Sequence, residues 1–112
     1  MQGIGYYLER GSKFSFEIEI HVADGKLTGR IYGEDSLCQD IKNPEAQIDG
    51  EMTGNELRFK KVYSDGRPII YYKLSKDGER YRGGWSFYEH WWWDNDFVLQ
   101  KGEAEIIIPH GD

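Results

Sequence analysis

Among 112 residues there is one cysteine, Cys38. A lone thiol excludes an intramolecular disulfide, so the chain is no disulfide-stapled scaffold, and a reducing, cytoplasmic setting is expected. Long apolar runs are missing as well. Nothing approaches the roughly 20 residues that a membrane-spanning helix needs, and Met1-Gln2-Gly3-Ile4-Gly5 lacks the charged-then-apolar pattern of a secretion signal. Basic charge is scarce: 14 Lys and Arg against 20 Asp and Glu leave a formal charge of −6. A phosphate backbone asks for clustered cations. The densest clusters, Arg58-Phe59-Lys60-Lys61 and Arg80-Tyr81-Arg82, are short and strand-like. Neither a membrane nor a nucleic acid is therefore an expected partner. Helical periodicity is also lacking; only Asp35 to Asn43 has room for a helical turn, stopped by Asn43-Pro44.

What the chain does contain is aromatic residues, 15% of the total. Each buries a large apolar area, which offsets a low mean hydropathy of −0.73. They fall into period-two patterns. Phe14, Phe16, Ile18, Ile20 and Val22 share one face, and Ser15, Glu17, Glu19 and His21 share the other. That is a strand with one buried and one wet side. Asp24-Gly25 follows it, and an Asp-Gly step between alternating runs is a strong hairpin signal. Similar turns recur at Gly54-Asn55, Asp65-Gly66, Asp77-Gly78 and Lys101-Gly102-Glu103. Besides 14–22, strands are predicted near 3–9, 27–33, 46–52, 57–63, 68–75, 80–88, 97–101 and 103–108. No linker interrupts them, so residues 1–112 form a single domain. The expected fold is all-β: an antiparallel up-and-down meander of about eight or nine strands, closed or nearly closed into a small barrel.

Connection parity gives that barrel two different ends. In a meander successive connections alternate, so the tight turns gather at one end. The two long connections, 34–45 and 89–96, meet at the other, making a cup with one mouth. Gly29, Gly50 and Gly83 fall at inward positions, where a missing Cβ permits sharp bending or a bulge. If eight strands close the barrel, the run Glu103–Ile108 is a ninth, with a free edge that a second copy would cover. A homodimer is expected on that ground.

The stretch from Ile48-Asp49-Gly50 through Thr53-Gly54-Asn55 to Tyr63, joined to Tyr71 through Asp77-Gly78 to Gly83-Gly84-Trp85, resembles the repeated hairpins of small avidin-like and lipocalin-like (calycin-type) barrels. In those families a Gly-x-Trp sets an indole into the barrel wall or floor, and Gly83-x-Trp85 is the matching tripeptide. The resemblance covers residues 46–87. It departs from the lipocalin pattern, whose Gly-x-Trp lies on the first strand, and no biotin-contacting set can be matched. It implies architecture, and by analogy a small-ligand cavity or a homo-oligomer.

Alternation from Leu57 turns Phe59, Lys61 and Tyr63 inward, and Lys61 is the odd member. A buried ammonium needs a partner. Near the mouth it either meets a polar ligand group or lays its stem along the wall and snorkels its charge into water, the plainer expectation. Tyr63, Ile70, Tyr72, Trp85 and Phe87 line the same upper half. Such aromatic walls either make a pocket or merely fill a narrow barrel. Glu89-His90-Trp91-Trp92-Trp93-Asp94-Asn95-Asp96 is the most unusual stretch. Three consecutive Trp cannot face one core, so at least one is expected at the mouth, over a pocket or against a partner, the alternative being a bulged strand that plugs the barrel end. The expected ligand-binding residues are thus Lys61, Tyr63, Tyr72, Trp85, Phe87, His90 and Trp92. The acids of this stretch lack zinc or EF-hand spacing, and no serine sits in a nucleophile elbow. No metal, cofactor or catalytic residue is assigned.

Three functions compete. The first is a non-enzymatic barrel binding a small apolar or aromatic ligand at the mouth. The second is an interaction module assembling through Trp91–Trp93 and the C-terminal strand. The third, an enzyme, requires two of Lys61, Glu89, His90 and Asp94 to converge within hydrogen-bond reach.

Overall fold

The computed structural model describes residues 1–9, 12–34, 45–87, 89 and 101–108. Eight strands follow one another: β1 (Gln2–Glu9), β2 (Ser12–Ala23), β3 (Lys26–Tyr32), β4 (Ala46–Thr53), β5 (Glu56–Tyr63), β6 (Ile70–Asp77), β7 (Arg80–Ser86) and β8 (Lys101–Ile107). Each pairs antiparallel with its sequence neighbours, and β8 returns to β1 through Ile4 opposite Ile107 and Tyr7 opposite Ala104. The sheet is a closed up-and-down barrel. Among the described residues no helix is long and apolar enough to cross a membrane.

The alternation that shaped the sequence reading fixes which side chains fill the barrel. Phe16, Ile18 and Ile20 of β2 point inward with Leu27 and Ile31 of β3, Leu57 and Phe59 of β5, Tyr72 and Leu74 of β6, and Ile106 of β8, all buried. Cross-strand register stacks them: Ile18 lies opposite Ile31, Leu57 opposite Leu74 and Phe59 opposite Tyr72. The rings of Phe59 and Tyr72 stack at 4.6 Å between centroids. Asp24 and Gly25 both adopt positive φ, 53° and 79°, the twist that lets a two-residue loop continue the strands it joins.

The inward glycines answer to close backbone approach. A Cβ on Gly50 would lie 1.9 Å from the carbonyl oxygen of Arg58, and one on Gly83 2.0 Å from that of Lys73. Those strands are drawn too close together there for any side chain, as a tightly coiled small barrel requires.

Two expectations fail at the C-terminal end. Lys101-Gly102-Glu103 is no turn between two strands but the start of β8. Gly102 stands opposite Trp85, and a Cβ there would meet the indole at 2.3 Å. The glycine makes room for a ring rather than for a bend. The run from Glu103 onward is accordingly no ninth strand: it lies within β8, paired on one side with β7 and on the other with β1. Closure removes the free edge on which strand exchange between copies would be built.

Candidate functional site

Parity holds for the described connections. The turns at 24–25, 54–55 and 78–79 share one end, while the described connection 64–69 lies at the other, where β1, β3 and β7 also end. The two ends differ in chemistry. Towards the tight turns the interior is closed by Ile20, Leu27, Leu57, Leu74, Tyr81 and Ile106. Towards the mouth it holds a polar cluster.

Lys61 is at its centre. It is 2% exposed, so its charge does not snorkel into water as expected. The reason is a partner that alternation did not reveal: Glu34, just past β3, with a side chain only 5% exposed. Gly33 adopts φ 62°, which takes the chain out of strand geometry immediately before it. The Lys61 ammonium donates to Glu34 Oε2 at 3.0 Å and to the Tyr7 hydroxyl at 2.8 Å. Tyr7 in turn donates to Glu34 Oε2 at 2.9 Å, and Tyr63 donates to Glu34 Oε1. The Tyr7 and Tyr72 hydroxyls are 2.7 Å apart. Since the single Tyr7 proton goes to the carboxylate, Tyr72 is the donor of that pair. The Tyr7 oxygen thus accepts from Lys61 and Tyr72 and gives to Glu34, which uses its full hydrogen-bonding capacity. The faces of Tyr63, Tyr7 and Tyr72 lie 4.8, 5.1 and 5.7 Å from the ammonium, within cation–π range.

Burial and charge act on these groups in opposite directions. Desolvation lowers the Lys61 pKa, while the Glu34 carboxylate pulls it back up. Tyr7 and Tyr72 are held far above the ordinary phenol value, first by burial. Tyr72 and the Glu34 charge raise Tyr7 further, while for Tyr72 the hydrogen bond with Tyr7 works against the rise. Tyr63 is raised for the same first reason, reinforced by its hydrogen bond to Glu34. The cluster is therefore one ammonium, one carboxylate and three neutral phenols. The Lys61 amine nitrogen is thus engaged by the Glu34 carboxylate and the Tyr7 hydroxyl together.

Around this centre stand partly apolar walls. Tyr7 packs on Phe16 at 4.6 Å and meets Trp85 edge-on at 6.5 Å. Trp85 meets Phe87 edge-on at 5.7 Å, and Phe87 is 42% exposed. Of the residues expected at a ligand site, Lys61, Tyr63 and Tyr72 come together in the polar cluster, with Trp85 and Phe87 at the same end. His90 and Trp92 lie outside the described residues, as do Trp91, Trp93 and Asp94. Glu89 is exposed, and the partners of Lys61 are Glu34 and Tyr7. Tyr7 and Glu34 are the members that sequence reasoning missed. Arg58 and Lys60, the outward members of the basic run, leave Phe59 and Lys61 to the interior. Among the described residues no group of three His, Cys, Asp or Glu stands close enough to hold a metal ion.

Comparison with protein-family models, curated proteins and solved structures returns no match to this chain.

Proposed function

We propose that the protein is a non-enzymatic binding barrel that takes a small ligand with an apolar or aromatic body at its mouth. The observation that carries this reading is the asymmetry of the interior. A barrel that only needed filling would be apolar at both ends, since replacing a buried ion pair with packed hydrophobic residues is often neutral or stabilising. Here Lys61, Glu34, Tyr7, Tyr63 and Tyr72 form a hydrogen-bonded cluster at the mouth end alone. A few fixed polar groups set among aromatic walls are the usual composition of a small-molecule site. Trp85, Phe87 and Ile70 supply the apolar side. The lipocalin-like or avidin-like kinship suggested by Gly83-x-Trp85 belongs to the same proposal, as does the cytoplasmic location that a lone cysteine favours. The alternative, a module assembling through Trp91–Trp93 as a homodimer, has lost the free C-terminal edge that also supported it.

The test is a backbone-amide NMR titration with a panel of small aromatic and aliphatic fragments. Saturable shifts confined to Tyr63, Ile70, Tyr72, Trp85 and Phe87 are expected. Shifts at the tight-turn end or on the outer wall, or no saturable shift with any fragment, would overturn the reading.

A further inference from the structure

The mouth cluster divides into a frame and an occupant. The three hydrogen-bond donors, Lys61, Tyr7 and Tyr63, sit on β1 and β5, which stand on opposite walls of an eight-stranded ring. Tyr72 on β6 braces Tyr7 from behind. All four are strand residues whose positions the ladders fix. Glu34, the acceptor on which the three donors converge, lies past the end of β3 and belongs to no strand. The donors also divide between its oxygens, two onto Oε2 and one onto Oε1. That pattern suits a group with two equivalent negative oxygens. The frame holds one ammonium, and the Arg67 guanidinium beside it, 4.8 Å from the Tyr63 ring, is already paired with Asp65 at 2.8 Å; a monoanion is therefore the charge the frame neutralises.

We propose that this frame is a carboxylate-binding site whose resting occupant is the protein's own Glu34, and that the ligand is a small monocarboxylate with an apolar or aromatic body that displaces it. This rests on the binding-barrel reading and adds the chemical class of the ligand. The carboxylate of the ligand takes the three donors, its body lies against Trp85, Phe87 and Ile70, and the Glu34 side chain turns out to water. A carboxamide of the same shape is rejected, because its NH2 group confronts a donor and leaves that donor unpaired. Binding to the native chain is weakened by competition from Glu34, which makes the residue an autoinhibitory contact as well as a structural one.

Glu34→Ala provides the test, because it removes Cγ, Cδ and both oxygens, the heavy atoms of acetate. Acetate is expected to raise the Tm of E34A saturably while acetamide does not, and the effect should vanish in E34A/K61M. Phenylacetate, measured by calorimetry, should bind E34A at least tenfold more tightly than the native chain. Equal stabilisation of E34A by acetate and acetamide, or equal phenylacetate affinities in E34A and native protein, would overturn the proposal. If phenylacetate and phenylacetamide bind equally well, the pocket stands and the carboxylate assignment falls. If neither binds to either protein, both readings fall. Should E34A not fold, the native protein carrying 13C-labelled glutamate decides the matter. Saturating phenylacetate, but not phenylacetamide, should move one buried side-chain carboxyl resonance to the position of solvent-exposed glutamates; an unmoved resonance refutes displacement.

Discussion

Lys61→Met tests whether the cluster is energetically one unit. The substitution keeps most of the stem volume and removes the ammonium, leaving the Glu34 carboxylate with two phenol donors and no counter-charge. Lys61 is 2% and the Glu34 side chain 5% exposed, so water cannot take over the lost contact. Breaking a pair buried to that degree costs about 3–5 kcal/mol. Glu34→Gln removes the other charge while keeping an oxygen for one phenol, and it leaves Lys61 as the uncompensated ion, at a cost of the same order. In K61M/E34Q neither charge remains. What is lost there is chiefly the charge assistance of the hydrogen bonds from Tyr7 and Tyr63, about 1–2 kcal/mol each. The double variant should accordingly cost far less than the sum of the singles, with a coupling of at least about 2 kcal/mol. Urea unfolding followed by Trp fluorescence measures all four proteins, and an unchanged m-value keeps the comparison on the folded state. Additive costs, or a K61M penalty below about 1 kcal/mol, would show that the pair behaves as an exposed one and that the cluster does not act as a unit.

Further outcomes follow from the same geometry. Tyr7 and Tyr72 stay protonated in the folded chain above the pH at which free phenols ionise, so their contribution is intact below about pH 10 and is lost as pH rises further. Together they should remove about 3 kcal/mol of stability by pH 11. Lys61, whose pKa is lowered, runs the other way up to about pH 10.5 and offsets only part of the tyrosine loss there, one group against two. The tyrosinate absorbance due to Tyr7 and Tyr72 should then appear only with unfolding; titration of all eight tyrosines in the folded state would contradict it. Tyr7→Phe deletes the hydroxyl that three partners share and should cost about 2–3 kcal/mol, against about 1 kcal/mol for Tyr63→Phe; equal costs in chemical denaturation would argue against a central Tyr7. Gly50→Ala would set a Cβ 1.9 Å from a backbone oxygen. It should cost more than about 3 kcal/mol or block folding, whereas Gly54→Ala, in a turn with nothing within 4 Å, should lose only the preference for its φ of 55°. Similar melting temperatures for those two variants would refute the close-approach argument.

How much of this was legible in advance depends on whether the controlling contact was local. The strands were, because Phe14 to Val22 and Leu57 to Tyr63 alternate strictly and Asp24-Gly25 dictates its own turn. The division into an end of two-residue turns and an end of longer connections followed from counting strands. Gly102 misled because a glycine flanked by charged residues looks like a turn, and only the register that sets it against Trp85 reveals its purpose. Lys61 was singled out by its place in the pattern, yet its fate was not readable, since the partner is 27 residues away, where a positive-φ glycine has just taken the chain out of β3. Period-two reasoning has no hold on Glu34, which no strand carries. Tyr7 was a different kind of omission: Gly3, Gly5 and Tyr7 share the inward face of β1, but two of the three have no side chain, so the face did not announce itself.

The place where local reasoning ran out is also where the chain departs most from the simplest way to fill a barrel. Ile20, Leu27, Leu57, Leu74 and Ile106, with Tyr81, close the lower half without any charged group. The upper half instead combines a buried ammonium, a buried carboxylate and three phenols, an arrangement that gains little over apolar packing in net stability and is costly if any member is lost. Packing alone gives no reason to keep it. The proposed carboxylate site supplies one, since it needs donors held in fixed positions and satisfied until a ligand arrives. Glu34 meets that requirement in the absence of ligand, being the one acceptor that can leave without breaking a strand. The double-variant cycle and the acetate rescue therefore probe one property from two sides: whether the frame of Lys61, Tyr7 and Tyr63 persists when the carboxylate it holds is changed.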